Sequence, residues 1–480
     1  MRKNLTILVL AMGLSSCTGD FKSINTNPNA PIDAQPALLL RQVIYDYGEE
    51  MSYEGFVAGN LLGQYFTMID FNLFDRHALS EPQVGGNPWP VIYTNLRDNE
   101  IILREARSNP VYAVYEGPAL ILKAYMTAAL TDIYGDAPYF EALRGQQGNV
   151  TPAYDSQEKI YTGVDGILDN LDKGVVALQN YTGNLTLDGD ILFGGDPAAW
   201  ITFANSLKIK FLMRIADRVN PSGRLQEIYD SGDYMTTNLQ NATYGFTDGQ
   251  PNNFRMARLR AGDFNLFILS ETAAEILTGL NDPRLSLFYR PVGKDATQPQ
   301  YRGFLNGPDA SQTTISVGDF SLTGTIFREH TGGLDANFLT AWETFFLLAE
   351  AAERNFISAD AQTLYESGVR LAFDYWGVPL PDNYLTSGAA VYGQSGADKI
   401  EQIITQKWIA NTINGYEGWI EFRRTGFPKL KTIAASLNND LIPRRMPYPT
   451  DEAALNGANF SNATVNNDNS INHAVWWDVN

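Results

Sequence analysis

The chain has 480 residues, 44% of them hydrophobic, enough for one large body or two ordinary ones with a real core. Basic residues number 35 against 54 acidic ones, and the formal charge of −19 argues against nucleic acid and against electrostatic adsorption to anionic lipid. A single cysteine excludes disulfides within the chain, and three scattered histidines, His77, His330 and His473, lack the spacing of a zinc site or a histidine-based triad.

In chain order, residues 1–16 read as a cleaved signal peptide. Arg2 and Lys3 form its basic start, and the apolar run Leu5 to Leu14 is shorter than the roughly 20 residues a bilayer span needs. Leu14-Ser15-Ser16-Cys17 resembles a bacterial lipobox, which places a cut before Cys17 and lipid on its sulfur. Each buried methylene contributes about 0.8 kcal/mol, so two or more acyl chains anchor stably where one does not. Two other readings of Cys17 are an incidental cysteine behind an ordinary secretory signal and a buried structural thiol. Loss of Arg2 and Lys3 with the signal would take the charge from −19 to −21. Residues 17–36, with Asn25-Thr26-Asn27-Pro28-Asn29-Ala30-Pro31 and Pro36, carry little periodicity and read as a flexible tether, leaving 37–480 as a single body.

Apolar residues at three- and four-residue steps predict helices over 36–54, 89–107, 112–134, 156–179, 197–219, 264–279, 338–355, 359–376, 397–413 and 416–424. In the 197–219 segment Trp200, Phe203, Ala204, Leu207 and Phe211 form a core stripe. Asp196-Pro197 is a start signal, Asn220-Pro221 a stop, and Lys208, Lys210, Arg214 and Arg218 read as a solvated face. A second stripe runs Phe338, Trp342, Phe345, Phe346, and a third runs Tyr365, Val369, Phe373, Trp376. Neighbouring helices joined by short turns, with alanines such as Ala124, Ala128, Ala349 and Ala352 allowing close approach, resemble tetratricopeptide-type hairpins without a clean 34-residue repeat. The fold class is therefore all-α: a scaffold of tetratricopeptide-like helical hairpins with long irregular loops and minor short strands. Thr314-Ile315-Ser316-Val317 is one candidate strand.

The loops over 55–88, 135–155, 180–196, 231–263, 281–337, 377–396 and 438–480 are rich in Gly, Asn, Pro and aromatics, and loops of such length tend to carry function. They hold Phe71 and Phe74 near Arg76, then Trp89, and later Tyr289, Tyr301 and Phe304. Flat rings stack on the apolar face of a sugar or pack on a peptide, and Arg or Asn donors select hydroxyls or carbonyls, so these seven form the candidate ligand set. Each taken singly also fits ordinary loop packing. No P-loop, GxGxxG, GxSxG or HExxH run occurs, and no acidic pair stands in a catalytic context. Asp188-Gly189-Asp190 before Gly194-Gly195-Asp196 lacks the ligand spacing of an EF-hand and reads as a turn into a helix cap, so no cofactor is expected and no motif supports a structural calcium.

Several separate runs in order remain: the lipobox, Asn25-Thr26-Asn27-Pro28, Thr131-Asp132-Ile133-Tyr134-Gly135-Asp136-Ala137-Pro138-Tyr139, and Phe193-Gly194-Gly195-Asp196 leading to Trp200 and to Phe203-Ala204-Asn205-Ser206-Leu207. The most specific are Tyr416-Glu417-Gly418-Trp419-Ile420-Glu421-Phe422-Arg423-Arg424-Thr425-Gly426-Phe427-Pro428 and Ile442-Pro443-Arg444-Arg445-Met446-Pro447-Tyr448-Pro449. Together they resemble the SusD/RagB family of nutrient-binding outer-membrane lipoproteins, over nearly the whole mature chain. On their own chemistry these runs read as scaffold, with Gly426 as a left-handed helix stop, Pro428 beyond it and the two arginines on terminal carbonyls. The resemblance implies a binding protein and not an enzyme. It further implies a lipid anchor in the outer membrane with the body exposed at the cell surface, and a SusC-like TonB-dependent transporter as partner, over which the protein closes as a lid on oligosaccharide or oligopeptide. Without the resemblance, the residues also fit a lipid-anchored, glycosidase-like hydrolase or a helical envelope adaptor that binds no ligand.

Overall fold

The computed structural model describes residues 35–80, 85–293, 298–312, 316–394, 398–464 and 468–480. Cys17, the signal segment and nearly all of the tether lie outside the described residues, as do Thr314 and Ile315; Val317 opens a short 3-10 turn, Val317–Asp319.

The α-helices of six or more described residues are α1 (Pro36–Glu54), α2 (Pro88–Ser108), α3 (Glu116–Tyr134), α4 (Gln157–Thr162), α5 (Ile167–Asn180), α6 (Pro197–Arg214) and α7 (Ser222–Ser231). They continue with α8 (Glu271–Gly279), α9 (Ala341–Glu353), α10 (Ala361–Tyr375), α11 (Lys399–Ala410), α12 (Gly415–Thr425), α13 (Thr450–Leu455) and α14 (Gly457–Ala463). Packing runs from neighbour to neighbour: α1 on α2, α2 on α3, α3 on α5, α5 on α6, α6 on α9, α9 on α10 and α11, and α11 on α12. The protein is all-α, built of tetratricopeptide-like hairpins, and among the described residues six short strands, β1 (Phe66–Met68), β2 (Ala137–Pro138), β3 (Tyr154–Asp155), β4 (Ala242–Gly245), β5 (Phe267–Leu269) and β6 (Asp335–Leu339), form three two-stranded antiparallel pairs.

Local chemistry explains most boundaries. Asp196 accepts the Ala198 N–H at 2.9 Å with Pro197 in the first turn, and Asp360 and Asp398 cap α10 and α11 in the same way. Gly426, at φ 73°, ends α12. After Arg214 the chain tightens into i to i+3 bonds, Ala216 N–H to Met213 O and Arg218 N–H to Ile215 O, so α6 stops before 219.

Four expectations are corrected. The segment 264–279 is not one helix: Phe267–Leu269 forms strand β5 against Phe66–Met68 (β1), and α8 starts only where Ser270 Oγ accepts the Ala273 N–H. A short apolar run fits either period, and the capping serine marks the switch. Phe338 lies in strand β6 (Asp335–Leu339), paired with β4 (Ala242–Gly245), and not in the helix that follows. The 156–179 helix breaks between α4 and α5 at Gly163 to Gly166, where Asp165 takes φ 60°. Finally, α1 runs on through a π-helical turn, Gly55–Gly59, into Asn60–Leu62, where a loop was expected.

The polar side of α6 is not solvated either. Lys208, Lys210 and Arg214 are all buried. Where α3, α6, α9, α11 and α12 converge, Lys210, Arg214, Lys407, Arg423 and Arg424 meet Asp132, Glu343, Glu350, Glu417 and Glu421. Lys210 Nζ lies 3.0 Å from both Glu343 and Glu417, Arg214 pairs with Asp132 at 3.2 Å and Glu421 at 2.9 Å, and Lys407 reaches Glu343 at 3.3 Å. Arg424 grips Glu350 through both of its terminal nitrogens at 2.6 and 2.5 Å. Arg423 instead donates to the Asp132 and Arg444 carbonyls and lies 3.7 Å over the Trp419 ring. Named charges of the two signs are equal in number, which is what a desolvated cluster requires. Both arginines of the 416–428 run thus clamp α12 to other elements, Arg424 also pairing with Glu421 in α12 itself, and neither is bonded to the terminal carbonyls of the helix.

Candidate ligand-binding face

An irregular layer lies against the helices, assembled from five remote segments. Strands β1 and β5 are extended by bridges from Ile268 to Leu322, Ser270 to Phe304 and Tyr289 to Thr323. Tyr65 fastens this layer to α11 by stacking on Trp408 at 4.0 Å and donating to the Trp408 carbonyl.

Asp75 organises the layer. Its buried carboxylate accepts the Thr67 hydroxyl at 2.7 Å, the Met68 N–H at 3.1 Å, and the Asn306 amide and Gly307 N–H at 2.8 Å. Burial pushes this carboxyl upward and those donors pull it back. Asn72 donates to the Met68 and Pro308 carbonyls, and the Ala434, Ala435 and Leu437 N–H groups bond to Asn306, Gly307 and Arg76 carbonyls. His77 faces the Leu441 carbonyl at 3.2 Å, and burial lowers its pKa to about 4, so it donates as the neutral ring.

The seven sequence candidates divide on this frame. Phe74, Trp89 and Tyr289 are buried. Phe74 fills the space beside Gly86, whose missing Cβ its ring would meet. Trp89 stands apart from the layer, in a cluster with Tyr93, Tyr134 and Tyr448 at 4.8, 4.9 and 5.8 Å between ring centres. The Tyr289 hydroxyl donates to the Tyr65 carbonyl. Arg76 is half-buried and committed, donating to the Ala435 carbonyl at 2.9 Å and lying 3.6 Å from Asp309. Tyr301 is half-buried against the core, and Phe304 meets Phe320 edge to face at 4.8 Å.

Phe71 differs from all of these. It is 60% exposed and holds φ 50°, a left-handed conformation that a bulky side chain rarely takes, with its N–H on Asp70 Oδ1 at 2.8 Å. The backbone is held in a costly shape that sets a flat ring in water. Leu437 and Leu441, 50% and 52% exposed, come from the segment bonded to Arg76 and His77. Sequence reasoning missed both leucines and Phe320, because nothing in the residues around them says which side chains of a long loop face water.

The acidic turn before α6 is a turn. Asp190 accepts N–H groups from Leu192, Phe193 and Gly195 and from the Trp200 indole, which occupy both carboxylate oxygens. Among the described residues no helix is long and apolar enough to cross a membrane.

Known proteins can be set beside this geometry. Residues 28–449 match the SusD-like family model described as starch-binding and associating with the outer membrane. A solved SusD homologue from Bacteroides fragilis NCTC 9343 is 25% identical, with TM-score 0.79 over 93% of this chain and 99% of its own. One from Bacteroides uniformis ATCC 8492, also 25% identical, has TM-score 0.73 over 93% and 100%. A chitin-binding SusD homologue from Flavobacterium johnsoniae is 23% identical and shares the fold, with TM-score 0.75 over 93% and 98%. A comparison with curated proteins returned no match. The family's role is nutrient binding and not catalysis, and by the match across residues 28–449 this chain belongs to the SusD-like family of outer-membrane binding proteins.

Proposed function

We propose that the protein captures oligosaccharides at the cell surface and passes them to a SusC-like TonB-dependent transporter, over which it closes as a lid. Cys17 carries the lipid anchor, residues 17–36 are the tether, and 37–480 form one capture body. The observation that carries the binding role is Phe71, a solvent-exposed ring on a left-handed backbone, supported from beneath by the hydrogen bonds of Asp75. Such a ring stacks on the apolar face of a pyranose, and stacking is worth about 0.5–1.5 kcal/mol beyond the area buried. Oligosaccharide is preferred to oligopeptide because the family description names starch and a relative of the same fold is chitin-binding.

Calorimetry of the purified chain against malto- and chito-oligosaccharides and against a tryptic peptide pool tests this. Binding of a saccharide that weakens about tenfold or more in Phe71→Gly supports the site. Peptide binding alone would move the cargo to the second class, and no binding of either, with a barrel still copurifying, would leave an adaptor.

A further inference from the structure

A groove of about 810 Å³ opens between α2 and the segment 138–147, and it shares no residue with the Phe71 face. We infer that this groove is a second binding site, for an acidic oligosaccharide whose carboxylates are met by guanidinium groups. Its size is that of a site for a ligand of several rings and far exceeds what a single inorganic anion fills.

The lining inverts the charge of the molecule. In a chain of net charge −19, the groove carries Arg97, Arg104 and Arg107, with Lys123 and Arg144, against only Glu100 and Asp165. Arg97, Arg104 and Arg107 lie at steps of seven and three along α2, which brings them to one helix face. Arg144 stands on the facing loop with Gln146 and Gln147, and its guanidinium makes no bond to another side chain among the described residues. Lys123 pairs with Glu100 at 3.0 Å at the base and lies 5.6 Å over the Tyr139 ring.

Acids also stand outside the lining. Arg97 pairs with Asp98 at 2.9 Å, Arg104 lies 3.6 Å from Glu105, and Arg107 meets Glu116 at 2.8 Å. All three arginines are largely exposed, and exposed pairs of this kind hold little energy. A ligand carboxylate held between two guanidinium groups replaces them at little cost, in the planar geometry arginine favours. The amides of Gln146 and Gln147 suit sugar hydroxyls, and the Tyr93 and Tyr139 rings form part of the wall. A neutral glucan would leave the cations of this groove unused, which is why the class is acidic.

The test is calorimetry of the purified chain with trigalacturonate, with maltotriose as the neutral counterpart and inorganic phosphate as competitor. The expected result is trigalacturonate binding that weakens about tenfold or more in the Arg104→Gln, Arg144→Gln double variant and at high salt, and is unchanged in Phe71→Gly. Both arginines are exposed, so the double variant should keep the wild-type melting temperature, and that is checked alongside. Absence of trigalacturonate binding, or binding indifferent to the double variant, would overturn the site. Displacement by phosphate at equal concentration would overturn the saccharide and leave a general anion site. Sensitivity to Phe71→Gly would assign the acidic sugar to the other face, so the two sites fail separately.

Discussion

Phe71 and His77 occupy one turn and carry opposite demands. Glycine adopts φ 50° without the strain that a phenylalanine bears, and the Phe71 ring is mostly in water. Phe71→Gly is therefore expected to leave the urea midpoint unlowered while saccharide affinity falls, a separation that a merely structural residue would not give. His77 has its pKa lowered by burial from an ordinary 6.5 to about 4, so the unfolded chain takes up its proton first. The stability this represents is complete above pH 6.5 and is lost as pH falls towards 4, on the order of 3 kcal/mol. Glu54 runs the other way: burial pushes it up to about 6 against N–H bonds that include Gly86 at 2.6 Å, so it adds stability as pH falls from 6 towards 4.5. The His77 contribution is thus read from the difference between wild type and His77→Gln in urea titrations at pH 7, 5.5 and 4.5, taken as about those values. The difference should shrink as the pH drops, and a constant difference would refute the assignment.

At the scale of elements, a close backbone approach joins the end of the first helix to the start of α12. A Cβ on Gly59 would lie 2.2 Å from the Tyr416 nitrogen, and one on Gly415 would lie 2.3 Å from the Asn60 nitrogen. The two backbones cross where neither can carry a side chain, and the π-helical turn Gly55–Gly59 is the part of the first helix that reaches this crossing. Gly59→Ala is expected to cost about 1–3 kcal/mol or more by overpacking, measured by chemical denaturation. Gly223→Ala, at an open position in α7, is the control that should not. The start of α6 was legible because aspartate and proline act on the next few residues of the same chain. The strand at Phe267–Leu269 was not, because its partner lies 200 residues away at Phe66–Met68 and an apolar run alone has no preferred period.

For the whole molecule, the ion cluster ties five helices together and replaces disulfides that a single cysteine cannot form. Burial pushes Glu421 up, yet Arg424, Lys407 and Arg214 together hold it down at about 2. Glu350→Ala would leave the Arg424 guanidinium with a buried charge short of its bidentate partner and should destabilise by about 3–5 kcal/mol in urea. Reducing agent should leave the melting temperature unchanged. Cys17→Ser should move the protein from the membrane to the soluble fraction, and retention in the membrane would remove the lipid anchor from the proposed function.

By itself the sequence determined what depends on near neighbours: the helical period, the cap at Asp196, the stop at Gly426, and the ordered runs that mark the family. Only the tertiary structure decided which polar and aromatic side chains are inside. Lys210 and Arg214 read as solvated from their helix and are buried because carboxylates arrive from α3, α9 and α12. Phe74, Trp89 and Tyr289 read as ligand rings and are core, while Phe71 faces water. The reason is physical: a local pattern records the chain's own repeat, whereas burial and charge compensation are settled by residues hundreds of positions apart.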